Sequence, residues 1–123
     1  MTGQYVPGTC NIGPEEIALR RRAGHAGLAV TAALATVLLR SDLHPAWRLT
    51  LALPAAGAAS GYLQARQRFC ANYGFRGLYN FDARGHEQPV PVTGAGEDRR
   101  RSLEITATSA AIGLGVALVA MAV

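Results

Sequence analysis

The sequence predicts an all-α integral membrane protein with three transmembrane helices and a small cytoplasmic cap. Three stretches consist almost entirely of small and aliphatic residues, at 23–39, 49–63 and 105–123. None of them carries a formal charge, whereas a water-soluble helix of that length needs a polar face. The chain is 50% hydrophobic and 16% charged, below the roughly 25% charge of an ordinary soluble domain. These observations favour one membrane domain, residues 1–123, over a soluble fold.

The distribution of arginine predicts the orientation of the helices. All twelve cationic residues are Arg, and only Arg40 and Arg48 lie between the first two apolar stretches. Because cytoplasmic loops carry an excess of cationic residues, we expect a multi-pass protein of the bacterial cytoplasmic (inner) membrane. Its N-terminus and the segment 66–101 are expected inside, and its C-terminus outside. This interpretation explains the net charge of +4 more simply than binding to nucleic acid does.

The first helix is predicted over residues 14–39, after a polar, turn-rich segment at 1–13. Pro14 suits the first position of a helix because its missing N–H has no intrahelical partner there. Glu15 and Glu16 complement the positive end of the helix dipole. The first 22 residues contain no apolar core, so we expect the first span to act as an uncleaved signal anchor.

The second helix is predicted over residues 46–67. The segment before it is short, so the first two helices are expected to form an antiparallel hairpin. Trp47 lies at the start of this helix, where an aromatic side chain anchors the membrane interface. Pro54 lies inside the helix and is expected to kink it.

Small residues indicate where the helices pack. Gly57 and Gly61 form a GxxxG pair in the second helix, and Gly113 lies in the third, which is predicted over residues 99–123. Lipid provides no hydrophobic drive between helices, so close backbone contact has to stabilise their association. The partner helix belongs either to this chain or to another copy. Three short helices bury a limited area, so we expect a homo-oligomer or a subunit of a larger membrane complex.

Residues 68–98 are predicted as a cytoplasmic interfacial segment and loop. Five of the eight aromatic residues lie between positions 64 and 81, interleaved with arginines, a mixture typical of the membrane interface. Phe69 and Tyr73 are four residues apart and are expected to share a helix face. Arginine binds phosphate and carboxylate through two parallel hydrogen bonds. We therefore expect a docking surface for an anionic lipid or a protein partner, formed by Arg66, Arg68, Phe69, Tyr73 and Arg76.

The two cysteines suggest an alternative. Cys10 and Cys70 are predicted on the same side of the membrane at similar depth, and His25 lies near the same face. These three residues would form a thiol pair or part of a metal site. No CxxC, HExxH or similar ligand spacing accompanies them, and a reducing cytoplasm keeps cysteines as thiols.

The leading hypothesis is a non-catalytic membrane subunit or scaffold that needs no cofactor and docks a protein or an anionic lipid at its cytoplasmic face. No carboxylate lies at the centre of a span, which argues against an ion-coupled carrier built from one chain. No nucleophile triad or glycine-rich phosphate loop supports an enzyme. The alternatives are a redox or metal-handling protein that uses Cys10 and Cys70, and a small channel or transporter assembled from several copies.

Overall fold

The computed structural model describes residues 5–82 and 85–123, and these residues are mostly helical. The α-helices within them are α1 at Pro14–Arg40, α2 at Ala52–Gln67, α3 at Ala71–Arg76 and α4 at Ala95–Ala122. Two 3₁₀ segments, Pro45–Leu51 and Val92–Gly94, precede α2 and α4. Two short strands, β1 at Leu78–Tyr79 and β2 at Gln88–Pro89, pair in antiparallel fashion.

Among the described residues, two helices are long and apolar enough to cross a membrane, judged by length and composition. They are Pro14–Arg40 and the continuous helical stretch Val92–Ala122, which includes α4. Most of their apolar surface faces outward, because only 11% of the first apolar window and 28% of the second lie inside the protein. Leu28 and Val37 on α1 and Val119 on α4 are each more than half exposed. The predicted helical class is therefore confirmed, and two of the three predicted spans correspond to helices that are long and apolar enough to cross a membrane.

The second apolar stretch forms a shorter α-helix than the sequence predicts. The prediction starts at residue 46, whereas a 3₁₀ segment covers Pro45–Leu51 and the α-helix begins at Ala52. Pro54 explains the difference, since in the first turn of α2 its missing N–H needs no partner. In a continuous α-helix its ring would press against the carbonyl four residues earlier. In place of the expected kink within one α-helix, the structure changes from 3₁₀ to α-helix just before Pro54.

The helix α2 lies against both α1 and α4, and small residues make the contacts. A Cβ atom at Gly61 would lie only 2.6 Å from the backbone nitrogen of Gly24 on α1. A Cβ atom at Gly113 on α4 would lie 2.4 Å from the carbonyl oxygen of Ala52. Gly57 faces outward, with nothing within 4 Å of its Cβ position. Within the described chain, Gly61 and Gly113 therefore lie at helix contacts and Gly57 does not.

At one end of the helices, Arg48 joins the 3₁₀ segment to α4. Its guanidinium donates to the carbonyl oxygens of Ala120, at 2.8 Å, and Val123, at 3.3 Å. Carbonyls in the last turn of a helix lack intrahelical donors, so Arg48 supplies the missing hydrogen bonds. Leu38 and Leu51 pack against Ala117 and Ala120 at the same end.

The opposite end carries a cap, which we define as residues 5–13, 68–82 and 85–94. Asn11 organises it from a fully buried position. Its backbone N–H donates to the carbonyl of Arg68 at 3.1 Å, and its side-chain amide both accepts from and donates to the backbone of Cys70. The backbone of Asn80 pairs with that of Asn11 on one side and Gly13 on the other. The segment before α1 is therefore hydrogen-bonded to the segment that follows α2.

Asp98 fixes the N-terminal part of the cap to α4. This carboxylate is fully buried in the first turn of the helix. It accepts from the hydroxyl of Tyr5 and from the backbone N–H of Gly8, both at 2.7 Å. Arg101, one turn further on, donates to the carbonyl of Gly8 at 2.8 Å. Asp98 therefore binds two partners that lie about 90 residues away in the sequence.

The chain breaks its helical course at Arg68, and this separates Phe69 from Tyr73. Arg68 ends α2 in the left-handed region, with φ at 55°, and Cys70 is extended before α3 begins. Phe69 packs against Ile105 of α4, whereas Tyr73 belongs to a different cluster. The expectation that Phe69 and Tyr73 share a helix face is therefore wrong, because no helix continues through Arg68.

Candidate functional site

The five residues of the predicted docking surface do not form one surface. Phe69 is fully buried and Tyr73 is 6% exposed, so both belong to the core of the cap. Arg66 and Arg68 are exposed and line one cleft, whereas Arg76 lines another. The aromatic side chains thus hold the cap together, and the arginines alone are available to a partner.

The first of these clefts is lined by three arginines and has a volume of about 560 Å³. Arg21 lies on α1, Arg66 lies in the last turn of α2, and Arg68 is the residue that ends α2. We call this site the arginine cleft. Its remaining lining is mostly apolar and includes the start of α1, and comprises Cys10, Ile12, Gly13, Pro14, Ile17, Ala18 and Ala65.

The left-handed conformation of Arg68 turns the chain out of α2 and into the cap. A residue other than glycine seldom adopts a positive φ, so neighbouring contacts have to support it. The N–H of Phe69 donates to the carbonyl of Gln64 at 3.0 Å, and the carbonyl of Arg68 accepts from Asn11 at 3.1 Å. As a result, the side chain of Arg66, before the turn, and that of Arg68, in the turn, line the same cleft.

The three guanidinium groups of the arginine cleft have no anionic partner within residues 5–82 and 85–123. Arg21, Arg66 and Arg68 take part in none of the ion pairs or side-chain hydrogen bonds there, whereas Arg20 pairs with Glu16 and Arg100 with Glu104. The start of α1 adds the positive end of a 27-residue helix dipole. The cleft therefore holds three positive charges that no carboxylate of the described residues compensates, beside a mostly apolar lining.

A second, buried polar cluster lies on the other side of the start of α1. Glu16 is 2% exposed, and its carboxylate accepts from the hydroxyl of Tyr73, from Arg20 at 3.3 Å and from the amide of Asn80 at 3.4 Å. Arg20 also donates to the sulfur of Cys70 at 2.9 Å and lies 5.9 Å from the centre of the Tyr73 ring. A buried charge is tolerated when it is paired in this way.

Tyr73 connects this cluster to the loop before β2. Its hydroxyl lies 3.2 Å from a carboxylate oxygen of Glu87, in addition to its bond with Glu16. Burial raises the pKa of Tyr73 well above the usual value for a phenol, and the hydrogen bond and negative charge of Glu16 and Glu87 raise it further. The phenol therefore stays protonated at neutral pH and donates a hydrogen bond to a carboxylate.

Sequence reasoning assigned Glu16 only to the helix start and missed its role in the cap. The usable signal was its spacing from Arg20 and Gly24, because residues four apart lie on one face of a helix. The partners Tyr73 and Asn80 lie 57 and 64 residues away, and no local pattern in the sequence indicates such contacts.

The residues of the predicted thiol or metal site have separate surroundings. Cys10 and Cys70 are both free thiols. The sulfur of Cys70 contacts Arg20, whereas that of Cys10 lies 3.9 Å from the carbonyl of Ile12. His25 hydrogen-bonds the hydroxyl of Tyr62 through Nδ1 at 2.6 Å. The described part of the chain holds no group of three or more His, Cys, Asp or Glu side chains placed to bind a metal ion.

Cys10 lines the arginine cleft, so the reactivity of its thiol is a probe of that cleft. Burial raises the pKa of the Cys10 thiol, and the positive charge of Arg68 opposes part of this rise. An anion that binds in the cleft would change both the access to this sulfur and the charge around it.

Compared with known proteins, the chain matches no protein-family model, no curated protein and no solved structure. Neither an activity nor a partner is therefore suggested by likeness to another protein. The geometry and the charges of the described residues carry the functional conclusion.

Proposed function

We propose that the chain is a non-catalytic protein of the bacterial cytoplasmic membrane, with three spans, that docks on anionic lipid headgroups through its cap. One observation carries this proposal: most exposed arginines lie at the cap end of the apolar helices. They are Arg21, Arg22, Arg66, Arg68, Arg76, Arg99 and Arg100. At the other end, Arg40 is exposed and Arg48 is occupied by the carbonyls of α4.

The outward-facing apolar side chains of α1 and α4 support a membrane location. Fully burying a large aliphatic side chain away from water is worth about 1.5–3 kcal/mol. Leu28, Val37 and Val119 are each more than half exposed, so in water they would gain only part of that stabilisation. The exposed arginines lie at the cap end of these helices, at the level that we assign to the lipid headgroups.

The third proposed span consists of the 3₁₀ segment and α2 together. The 7-residue 3₁₀ segment and the 16-residue α2 have lengths of about 14 Å and about 24 Å. Their sum exceeds the roughly 30 Å of a bilayer core. Contacts of Gly61 with Gly24 near the cap, and of Leu51 with Leu38 at the far end, support an antiparallel hairpin with α1.

The cytoplasmic side is assigned to the cap by its charge. Cationic residues near a membrane surface with anionic lipids are each attracted by about 1 kcal/mol, and they are retained on the cytoplasmic side during insertion. Reporter fusions after Gly94 and at Val123 test this orientation. A fluorescent cytoplasmic reporter is expected after Gly94 and an active periplasmic phosphatase at Val123. A cytoplasmic reporter active at Val123 would overturn the three-span topology.

Docking is tested with the full-length protein in mild detergent. Native mass spectrometry would compare the retention of phosphatidylglycerol with that of phosphatidylcholine. The proposal requires that the anionic lipid is retained over the zwitterionic one and that added salt weakens this preference, because exposed charges are screened. Equal retention of the two lipids at low salt would contradict docking on anionic headgroups. A protein that co-purifies in place of lipid would support the scaffold hypothesis with a different partner.

A further inference from the structure

We propose that the arginine cleft is a specific site for one phosphate group, rather than part of a diffuse basic surface. This inference rests on the proposed function and names its site and ligand chemistry. Its three guanidinium groups belong to three different positions in the fold: Arg21 on α1, Arg66 at the end of α2, and Arg68 in the turn that follows. A single anion held by all three would bridge the first two helices and the cap.

The absence of carboxylates in its lining distinguishes the arginine cleft from three other arginine-lined clefts among the described residues. The cleft at Arg76 also contains Glu16 and Glu87, and the one at Arg22 contains Glu15. The cleft at Arg100 and Arg101 contains Glu97 and Glu104. In each of these the positive charge is at least partly compensated by the protein itself.

The chemistry of the three side chains favours phosphate. Each guanidinium presents planar, paired N–H donors that match two oxygens of a phosphate or carboxylate. Three such groups provide more N–H donors than the two oxygens of a carboxylate can accept. A phosphate group offers more acceptor positions and therefore matches them better. The start of α1, at Gly13 and Pro14, directs the positive end of its dipole to the same cleft.

The rest of the cleft fits a phosphate ester better than inorganic phosphate. Its volume of about 560 Å³ leaves room for a substituent beside the phosphate. Ile17, Ala18 and Ala65 line it on the side of the apolar helices, where the hydrophobic part of an amphipathic ester would lie. Low-polarity walls also strengthen the attraction between the guanidinium groups and an anion. The shared chemistry is therefore a phosphate ester, either a lipid headgroup or a soluble one.

The test compares two triple variants of the full-length protein with equal loss of charge. R21Q/R66Q/R68Q removes the three guanidinium groups of the arginine cleft, and R22Q/R99Q/R100Q removes three exposed arginines outside it. The probes are phosphatidic acid, phosphatidylglycerol, glycerol 3-phosphate and inorganic phosphate. Retention of the two lipids is measured by native mass spectrometry, and the soluble probes are added as competitors. Alkylation of Cys10, resolved by peptide mapping, reports occupancy of the cleft itself, with buried Cys70 as the internal reference.

A specific site predicts that the cleft variant retains lipid about tenfold or more weakly than the control variant, whose own loss measures the diffuse attraction of three exposed arginines. Bound lipid should also slow the alkylation of Cys10 in the wild-type protein. Competition by glycerol 3-phosphate at equal concentration supports the site and assigns a soluble ester as its ligand. R21K/R66K/R68K, which keeps the charge without the paired donors, is expected to bind with intermediate strength and controls for folding.

Equal losses in the two glutamine variants would overturn the specific site and leave docking of the cap on an anionic surface intact. Unchanged alkylation of Cys10 in the presence of retained lipid would also overturn it. If the wild-type protein shows no preference for either anionic lipid and no soluble probe protects Cys10, both the site and the proposed function fail.

Discussion

Glu16 and Tyr73 form a buried hydrogen bond between the first turn of α1 and α3, across 57 residues of chain. The same carboxylate accepts from Arg20 and Asn80. The cap is therefore attached to the helices by a polar cluster, while the helices contact one another through small residues. These two kinds of contact respond differently to substitution, and each leads to a measurable prediction.

Glu16→Ala is expected to destabilise the cap by about 3 kcal/mol, because it leaves Arg20 and Tyr73 without their buried partner. Glu15→Ala is the matched control. Glu15 is exposed on the same turn, and its loss should change the free energy of unfolding by less than about 0.5 kcal/mol. Thermal unfolding of the full-length protein in detergent, followed by circular dichroism, measures both. Similar melting temperatures for the two variants would rule out a structural role for the Glu16 cluster.

Stability is expected to fall at alkaline pH, in part through Tyr73. Burial and the bond to Glu16 raise the pKa of Tyr73 above its ordinary value of 10.0. Below that pH the phenol is protonated in both folded and unfolded chains, so its contribution is fully present. Above it the unfolded chain releases the proton first, and the free energy of unfolding falls as pH rises.

Tyr73→Phe should therefore be less stable at neutral pH by about 1 kcal/mol and should lose less stability as the pH rises above about 10. Tyr5, whose pKa is raised by burial and by Asp98, contributes in the same sense, so the double variant with Tyr5→Phe should have a flatter profile still. Melting temperatures measured between about pH 8 and about pH 11 provide the comparison. A variant profile parallel to that of the wild-type protein would contradict this assignment.

Gly61→Ala and Gly57→Ala separate packing within the chain from packing between copies. A methyl group at Gly61 meets the backbone of α1, at 2.6 Å from Gly24, whereas one at Gly57 meets nothing within 4 Å. We expect Gly61→Ala to cost about 1–3 kcal/mol by overpacking. Gly57→Ala should be neutral or stabilising by up to about 1 kcal/mol, since alanine favours helix.

Both variants are measured by thermal unfolding together with the molecular mass in detergent. A destabilised Gly57→Ala protein that also changes its oligomeric state would mean that the exposed side of the GxxxG pair contacts another copy. That result would support the homo-oligomer that the sequence predicts.

The two thiols are expected to react at different rates. Cys10 is partly exposed and lines the arginine cleft, whereas Cys70 is 1% exposed, so iodoacetamide should modify Cys10 first under native conditions. Arg68→Gln removes a charge that lowers the pKa of Cys10, and it should therefore slow that reaction at neutral pH because less thiolate is present. Arg99→Gln serves as the control. Rapid formation of a Cys10–Cys70 disulfide under mild oxidation would instead favour the redox hypothesis.

The helical class was predictable because it depends on local properties of the sequence. Uninterrupted apolar stretches, Pro14 at the helix start and the two blocks of arginine are all readable without knowledge of distant contacts. The structure begins α1 at Pro14 and ends it at Arg40, one residue beyond the predicted end. The start of α2 was misplaced because a 3₁₀ segment and an α-helix have similar composition, and only the position of Pro54 separates them.

The candidate site was predictable in part. Arg66 and Arg68 were identified from their interleaving with aromatic residues, and both line the arginine cleft. Arg21 was assigned to orientation alone, because its proximity to Arg66 depends on how α1 and α2 pack. Phe69 and Tyr73 were assigned to a surface because aromatic residues beside arginine are typical of an interface. Tertiary contacts with Ile105 and Glu16 place them in the interior instead.

The contact between Arg48 and Ala120 has a consequence for the order of biosynthesis. Its two residues are separated by 72 positions, so the ribosome completes the 3₁₀ segment long before the end of α4 emerges. Until then the Arg48 guanidinium has no carbonyl of α4 to bind. The link between the 3₁₀ segment and α4 can therefore form only after the last helix has been synthesised.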